Sequence, residues 1–328
     1  MNHRPGTPEG GIGLAGNRES GPLRRFSHEA MNTVFEVHAA NADARYAAEA
    51  AQAAFALVDR LEGELSRFRP NSDITRINHL EPGASARVGE AALECLVVAR
   101  HMYELTGGAF DVSVGTGLPT LEIDADAFEI RATTGGVRID LGGIGKGYAV
   151  DLVAELLEDW GLERAFVHGG YSSAIALEPP EGSDGWALTL SDPREPSRVF
   201  RRLSMRQAAL SASGVKKGDH IRDPRTGEPV RGRLAAWAAL PRPTRGDGAS
   251  DAGDARPAPR LAPGAVADAL TTAFMLLDTG DIAALCDRSP GLEAWILPED
   301  AAPGGGLLQF PAGRAAILAP APTTAGDE

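Results

Sequence analysis

The chain is expected to fold as one large α+β globular unit, with mixed sheets covered by packed helices. Three observations predict this. Its 328 residues are 43% apolar with only moderate charge, enough to bury a substantial core. Apolar residues recur at helical spacing in several segments, and between them lie short runs of strand-like composition. Those runs do not alternate strictly with the helical segments, as a doubly wound parallel sheet would require.

Residues 1–22 are rich in Gly and Pro without periodicity and read as a disordered leader to a domain spanning 23–320. A strand is expected over 33–39. From Asp43 to Leu65, the spacing of Ala47, Ala50, Ala54, Val58, Leu61 and Leu65 predicts an amphipathic helix. A second helix is expected over 89–106, where Gly107 and Gly108 can supply a left-handed stop. A strand over 137–141 then leads into a third helix over 147–160. Further strands are expected over 164–168, 173–177, 186–190, 208–211 and 234–240, all short and rich in β-compatible residues. Residues 241–264, with many Pro, Gly and Asp, read as a flexible insertion before a last helix over 265–277. Residues 321–328 read as a disordered tail.

A formal net charge of −13 argues against tight binding to nucleic acid or anionic membrane, which needs an excess of Lys and Arg. Cys95 and Cys286 lie in apolar segments without CxxC spacing and read as buried structural thiols. No apolar run reaches the ~20 residues of a bilayer span, and the N-terminus lacks the apolar core of a signal peptide, so a cytoplasmic protein is expected.

The segment IDLGGIGKGYAVDLVAELL (139–157) runs from a strand through a glycine-rich turn into a helix. Gly142, Gly143, Gly145 and Gly147 let backbone approach a ligand, and Lys146 with the free N–H groups of the helix start can meet phosphate. A tight turn with a solvated Lys is the alternative, since the spacing matches neither the dinucleotide fingerprint nor the Walker loop. Asp268 and Thr272 lie four apart on the last helix and offer hard oxygen ligands for Mg²⁺; equally, the Asp can complement the helix dipole and the Thr back-bond to the chain. His220 enters a turn built by Asp223-Pro224-Arg225-Thr226-Gly227, either as an acid or base or as a structural residue. Phe68, between Arg67 and Arg69, can stack a planar ring or join the core. Asp111 can hold a polar ligand edge or close its own turn.

Together and in this order, the blocks MNTVFEV, LSRFRPNSDITRIN, GGAFDVSVGTGL, IDLGGIGKGYAVD, HIRDPRTGEPV and ADALTTAF resemble the signature of the ApbE family, the FAD:protein FMN transferases, over roughly residues 26–318. The resemblance implies an ApbE/T-fold-like arrangement and a transferase that cleaves FAD and attaches FMN to a Ser or Thr of an acceptor protein, releasing AMP. It implies Mg²⁺ on Asp268, Thr272 and a backbone carbonyl near Gly145. It places the FAD diphosphate on the loop with Gly143 and Lys146, and the flavin ring against Phe68. Met31, Asp111, Gly169, Gly170, Ser213 and Gly214 fall in blocks that line the flavin or nucleotide pocket, and His220 and Asp268 are the expected catalytic groups. Three departures stand out. Asn32 and Gly145 replace a usual Gly and Ala, and Gly169-Gly170-Tyr171-Ser172-Ser173 replaces a Gly-Gly-Asp. FAD hydrolysis to FMN and AMP, or flavin binding without catalysis, are the competing readings.

Overall fold

The computed structural model of the chain describes residues 12–14, 22–215, 221–243, 261–302, 305–312 and 319–320. In chain order, strand β1 (Ile12–Leu14) precedes a hairpin of β2 (Leu23–Ala30) and β3 (Thr33–Ala40). Helix α1 (Ala44–Leu65), the short helix α2 (Asp73–Ile77), β4 (Ser85–Arg87) and α3 (Glu90–Leu105) follow. Next come β5 (Leu121–Asp124), β6 (Glu129–Ala132), a 3-10 turn at Leu141–Gly143 and α4 (Gly145–Asp159). The strands β7 (Ala165–Gly169), β8 (Ser173–Ala176), β9 (Trp186–Asp192), β10 (Glu195–Met205), β11 (Ala208–Gly214) and β12 (Arg233–Pro241) lead to α5 (Pro263–Phe274) and α6 (Thr279–Arg288). Strands β13 (Glu293–Pro298), β14 (Leu308–Phe310) and β15 (Ala319–Pro320) close the described chain.

The central sheet has eight strands in the order β14-β13-β12-β11-β8-β7-β3-β2, every neighbouring pair antiparallel. Strand side chains alternate between two faces, and both faces here are buried. Val167, Ala236, Ala238 and Ile296 join the core under α1, α3, α4 and α5. Phe166, Trp237, Trp295 and Leu210 point the other way, into a second core shared with Trp186, Leu188 and Leu190 of β9. That second core lies under a four-stranded sheet, β1-β9-β10-β15. The layers are therefore helices, eight-stranded sheet and four-stranded sheet, as the α+β expectation requires.

Apart from one strand, the expected elements form with small shifts at their ends. The predicted first helix starts one residue later because Asp43 caps it, accepting from the amides of Arg45 and Tyr46 at 3.0 Å each. The strand expected over 137–141 does not form. Asp140 instead bends the chain into the 3-10 turn, its Oδ1 accepting from the Gly142 amide at 2.9 Å. Within the expected leader, Ile12–Leu14 pairs with Leu188–Leu190 and buries Ile12, so a segment that looks structureless contributes a strand to the smaller sheet. The ends of the expected insertion also belong to the framework: Pro241 closes β12, and Arg242, 5% exposed, holds Glu158 through two contacts of 2.7 Å. Residues 244–260 and the expected tail lie outside the described residues. Cys95 and Cys286 are free and buried, and burial pushes the Cys286 thiol up to about 12. No helix among the described residues is long and apolar enough to cross a membrane.

Candidate functional site

Helices α4 and α5 cross where glycine faces glycine. A Cβ on Gly147 would lie 2.1 Å from the Gly264 carbonyl oxygen and 2.8 Å from Cβ of Asp268; one on Gly264 would lie 2.6 Å from the Gly147 oxygen. Only hydrogen at both positions permits this approach. Asp151 of α4 completes the joint by accepting from the amides of Gly264 and Ala265, 2.9 Å each, so it caps α5 across the interface. Burial pushes the Asp151 carboxyl up to about 7 against the pull of those two hydrogen bonds.

That crossing sets Asp268 beside the glycine turn. Asp268 is 2% exposed, and its Oδ2 accepts from the Gly147 amide at 3.0 Å and lies 3.7 Å from Lys146 Nζ. Lys146 also donates to the Gly142 carbonyl at 3.2 Å. Among the described residues, the second Asp268 oxygen, Oδ1, accepts no hydrogen bond. One turn on, the Thr272 hydroxyl has only long contacts, 3.4 Å to the Asp268 carbonyl and 3.5 Å to Ser213 Oγ, while Ser213 bonds Thr271 at 2.9 Å. A Cβ on Gly143 would come within 3.2 Å of the Thr272 hydroxyl and 3.3 Å of the Phe110 ring. Glycine there leaves the hydroxyl room. A spare carboxylate oxygen and a loosely held hydroxyl on one helix face are hard donors that fit Mg²⁺. Gly145 opens α4, so its carbonyl is turned along the helix axis and offers a cation only its second lone pair.

A pocket of about 200 Å³ opens next to this cluster, lined by Met31, Phe68, Asp140, Gly142, Gly145 and Lys146 among others. Phe68 is 79% exposed, unusual for its size, and Arg67 holds it in place with its guanidinium 4.3 Å from the ring centroid and its Nε 2.9 Å from Asp140. Met31 and Asn32 form the β2–β3 turn with φ of 49° and 58°, a left-handed pair that Asn tolerates better than most residues. The Met31 amide is tied to Glu62 of α1 at 3.2 Å. The pocket suits a planar ring system rather than a whole dinucleotide. A larger groove of about 670 Å³, between α1, α3 and α4, contains none of the predicted residues and is lined by Glu64, Glu90, Glu94, Asp151, Glu155 and Asp159, a poor match to a phosphate ligand.

The other predicted residues sort by their contacts. Ser213 and Gly214 end β11 against α5, beside Thr271 and Thr272. Asp111 closes its own turn: its oxygens accept from the Ser113 amide and hydroxyl, 2.7 Å each, and from the Gly115 amide at 2.9 Å. That loop packs on the 223–227 turn, since a Cβ on Gly115 would lie 2.3 Å from the Pro224 oxygen. Gly169 ends β7, Gly170 begins the turn to β8, and both press on β3: added Cβ atoms would meet Phe35 at 2.9 Å and Thr33 at 2.2 Å. They do not line the pocket. His220 lies outside the described residues. Sequence reasoning missed Arg67, Asp140 and Asp151 as site builders. Asp140 and Asp151 stand inside the quoted glycine block, but their partners are far away in the chain.

Comparison with known proteins bears on the family and the fold. The model of the ApbE family matches residues 31–253. A FAD:protein FMN transferase of Salmonella typhimurium is 24% identical over 251 residues, 64% of this chain and 71% of its own length. One from Treponema pallidum is 25% identical over 332 residues, covering 85% of this chain and 83% of its own. Among solved structures, the ApbE protein of Thermotoga maritima superposes with a TM-score of 0.72 at 23% identity, over 88% of this chain and 97% of its own. The flavin transferase ApbE of Vibrio cholerae gives 0.70 at 19% identity with the same coverage. With two thirds of its residues matched by the family model and the same fold, the chain belongs to the ApbE family.

Proposed function

We propose that this protein is a Mg²⁺-dependent FAD:protein FMN transferase, which cleaves FAD and joins its FMN half to a Ser or Thr hydroxyl of an acceptor protein. The observation that carries the reading is the meeting of Asp268, Thr272 and Lys146 at the edge of a pocket that displays Phe68. The relatives named FAD:protein FMN transferase support it.

In this scheme the flavin ring stacks on Phe68 and the diphosphate turns toward Lys146 and the backbone of the glycine turn. The acceptor oxygen bonds to the FMN-side phosphorus as the bridging P–O bond to AMP breaks, and the hydroxyl proton passes to Asp268 or His220. Negative charge grows on two neighbouring phosphates, and Lys146 neutralises part of it while the turn holds them in line. Asp268 and Thr272 would hold Mg²⁺, which when bound would supply Lewis-acid stabilisation of that charge. Incubating the protein with FAD, Mg²⁺ and lysate of its host tests the reading. A flavin-fluorescent band on a denaturing gel with matching AMP release is expected; AMP without a band identifies hydrolysis instead.

A further inference from the structure

On the face of the central sheet opposite Asp268 lies a second polar cluster that the transfer reaction does not use. Glu36 and His38 of β3 alternate with the core residues Phe35 and Val37, so both project into the inter-sheet core. His168 of β7 stands directly opposite Glu36 in the strand register. The three residues are 4%, 4% and 2% exposed.

Glu36 Oε2 receives both imidazoles, His38 Nε2 at 3.1 Å and His168 Nε2 at 3.0 Å, and Arg25 holds its other oxygen. Among the described residues, Nδ1 of both histidines is buried without a hydrogen-bond partner. Those residues therefore leave two orphaned atoms in the core, where such atoms are rare. One ligand atom from each residue lies within 4.8 Å of the others. Donors around a tetrahedral zinc-class ion sit roughly 3.3 Å apart given metal–ligand bonds of about 2.0–2.1 Å, so small side-chain shifts suffice.

We propose that Glu36, His38 and His168 form a binding site for a divalent transition ion of the zinc class, separate from the Mg²⁺ position. Two imidazoles and one carboxylate are a donor set for zinc, cobalt or iron rather than for Mg²⁺, which prefers oxygen alone. Arg25 orients the carboxylate from behind, and Tyr171 stacks on His168 with centroids 4.6 Å apart. Bound there, the ion would tie β3 and β7 together beneath the smaller sheet.

The test is a titration of the chelator-stripped full chain with Co²⁺ in excess Mg²⁺, read by calorimetry and by visible d–d absorption. One equivalent is expected to bind with the intense bands of a low-coordinate nitrogen and oxygen site. Glu36→Gln and His168→Gln should each weaken it by more than about 100-fold, and Asp268→Ala should leave it unchanged. Circular dichroism checks that each variant is folded. Absence of saturable binding to the wild-type chain would overturn the proposal, as would binding that survives both cluster substitutions or disappears with Asp268→Ala.

Discussion

At the scale of single residues, the site rests on side chains with ordinary structural partners on one atom and spare capacity on another. Asp268 Oδ2 accepts from the Gly147 amide and faces Lys146, while among the described residues Oδ1 accepts no hydrogen bond. Replacing it with Ala should lower FAD turnover at least about 100-fold, since a metal contributes several kcal/mol at the transition state; steady-state AMP release measures this. Phe68→Ala should weaken flavin by roughly 3–10-fold, the scale of one aromatic stack, with no loss of stability because the ring is exposed. Lys146→Ala should weaken FAD more than riboflavin in equilibrium titrations, because only FAD presents phosphates to it. Equal effects on both ligands would remove Lys146 from the phosphate site.

At the scale of elements, the α4–α5 crossing positions everything else. The sequence showed a glycine-rich helix entry, and a phosphate loop was the natural functional reading of all its glycines. The structure divides them by role. Gly147 serves helix packing, Gly143 clears the Thr272 hydroxyl, and a Cβ on Gly145 would meet only Leu141 at an ordinary 3.9 Å. Gly147→Ala should therefore cost about 1–3 kcal/mol by overpacking, whereas Gly145→Ala should stabilise by roughly 0.5–1 kcal/mol through helix propensity. Urea unfolding of the two variants checks both signs. The same crossing carries a pH dependence. Asp151 sits at about 7 in the folded chain against about 3.9 unfolded, so the folded state holds a proton that the unfolded state has lost. Its contribution is fully present below pH ~4 and is lost as pH rises through 7. The urea midpoint of the wild type relative to Asp151→Asn should accordingly rise as pH falls from 7 to 4.

At the scale of the molecule, what could be read from the sequence was what short-range pattern encodes. Periodicity located α1, α3, α4 and α5 within about three residues of their ends, and strand composition found β3, β7, β8, β9, β11 and β12. Strands with few fully buried positions, such as β2 and β10, escaped it. So did the pairing of Ile12–Leu14 with β9, which depends on a partner about 175 residues away rather than on local composition. The candidate site followed the same rule. Asp268, Thr272, Lys146 and Phe68 were visible through ordered blocks, but the capping role of Asp151 and the structural role of Gly169 and Gly170 appear only when β3, β7 and α5 are in place.

The most direct measurement compares the wild type with Asp268→Ala in a reaction containing FAD, Mg²⁺ and host lysate, recording AMP and protein-bound flavin fluorescence together. The account predicts both products in equal amounts for the wild type, their loss when Mg²⁺ is chelated, and neither from a folded Asp268→Ala chain. Undiminished transfer by that variant, or transfer indifferent to Mg²⁺, would contradict it.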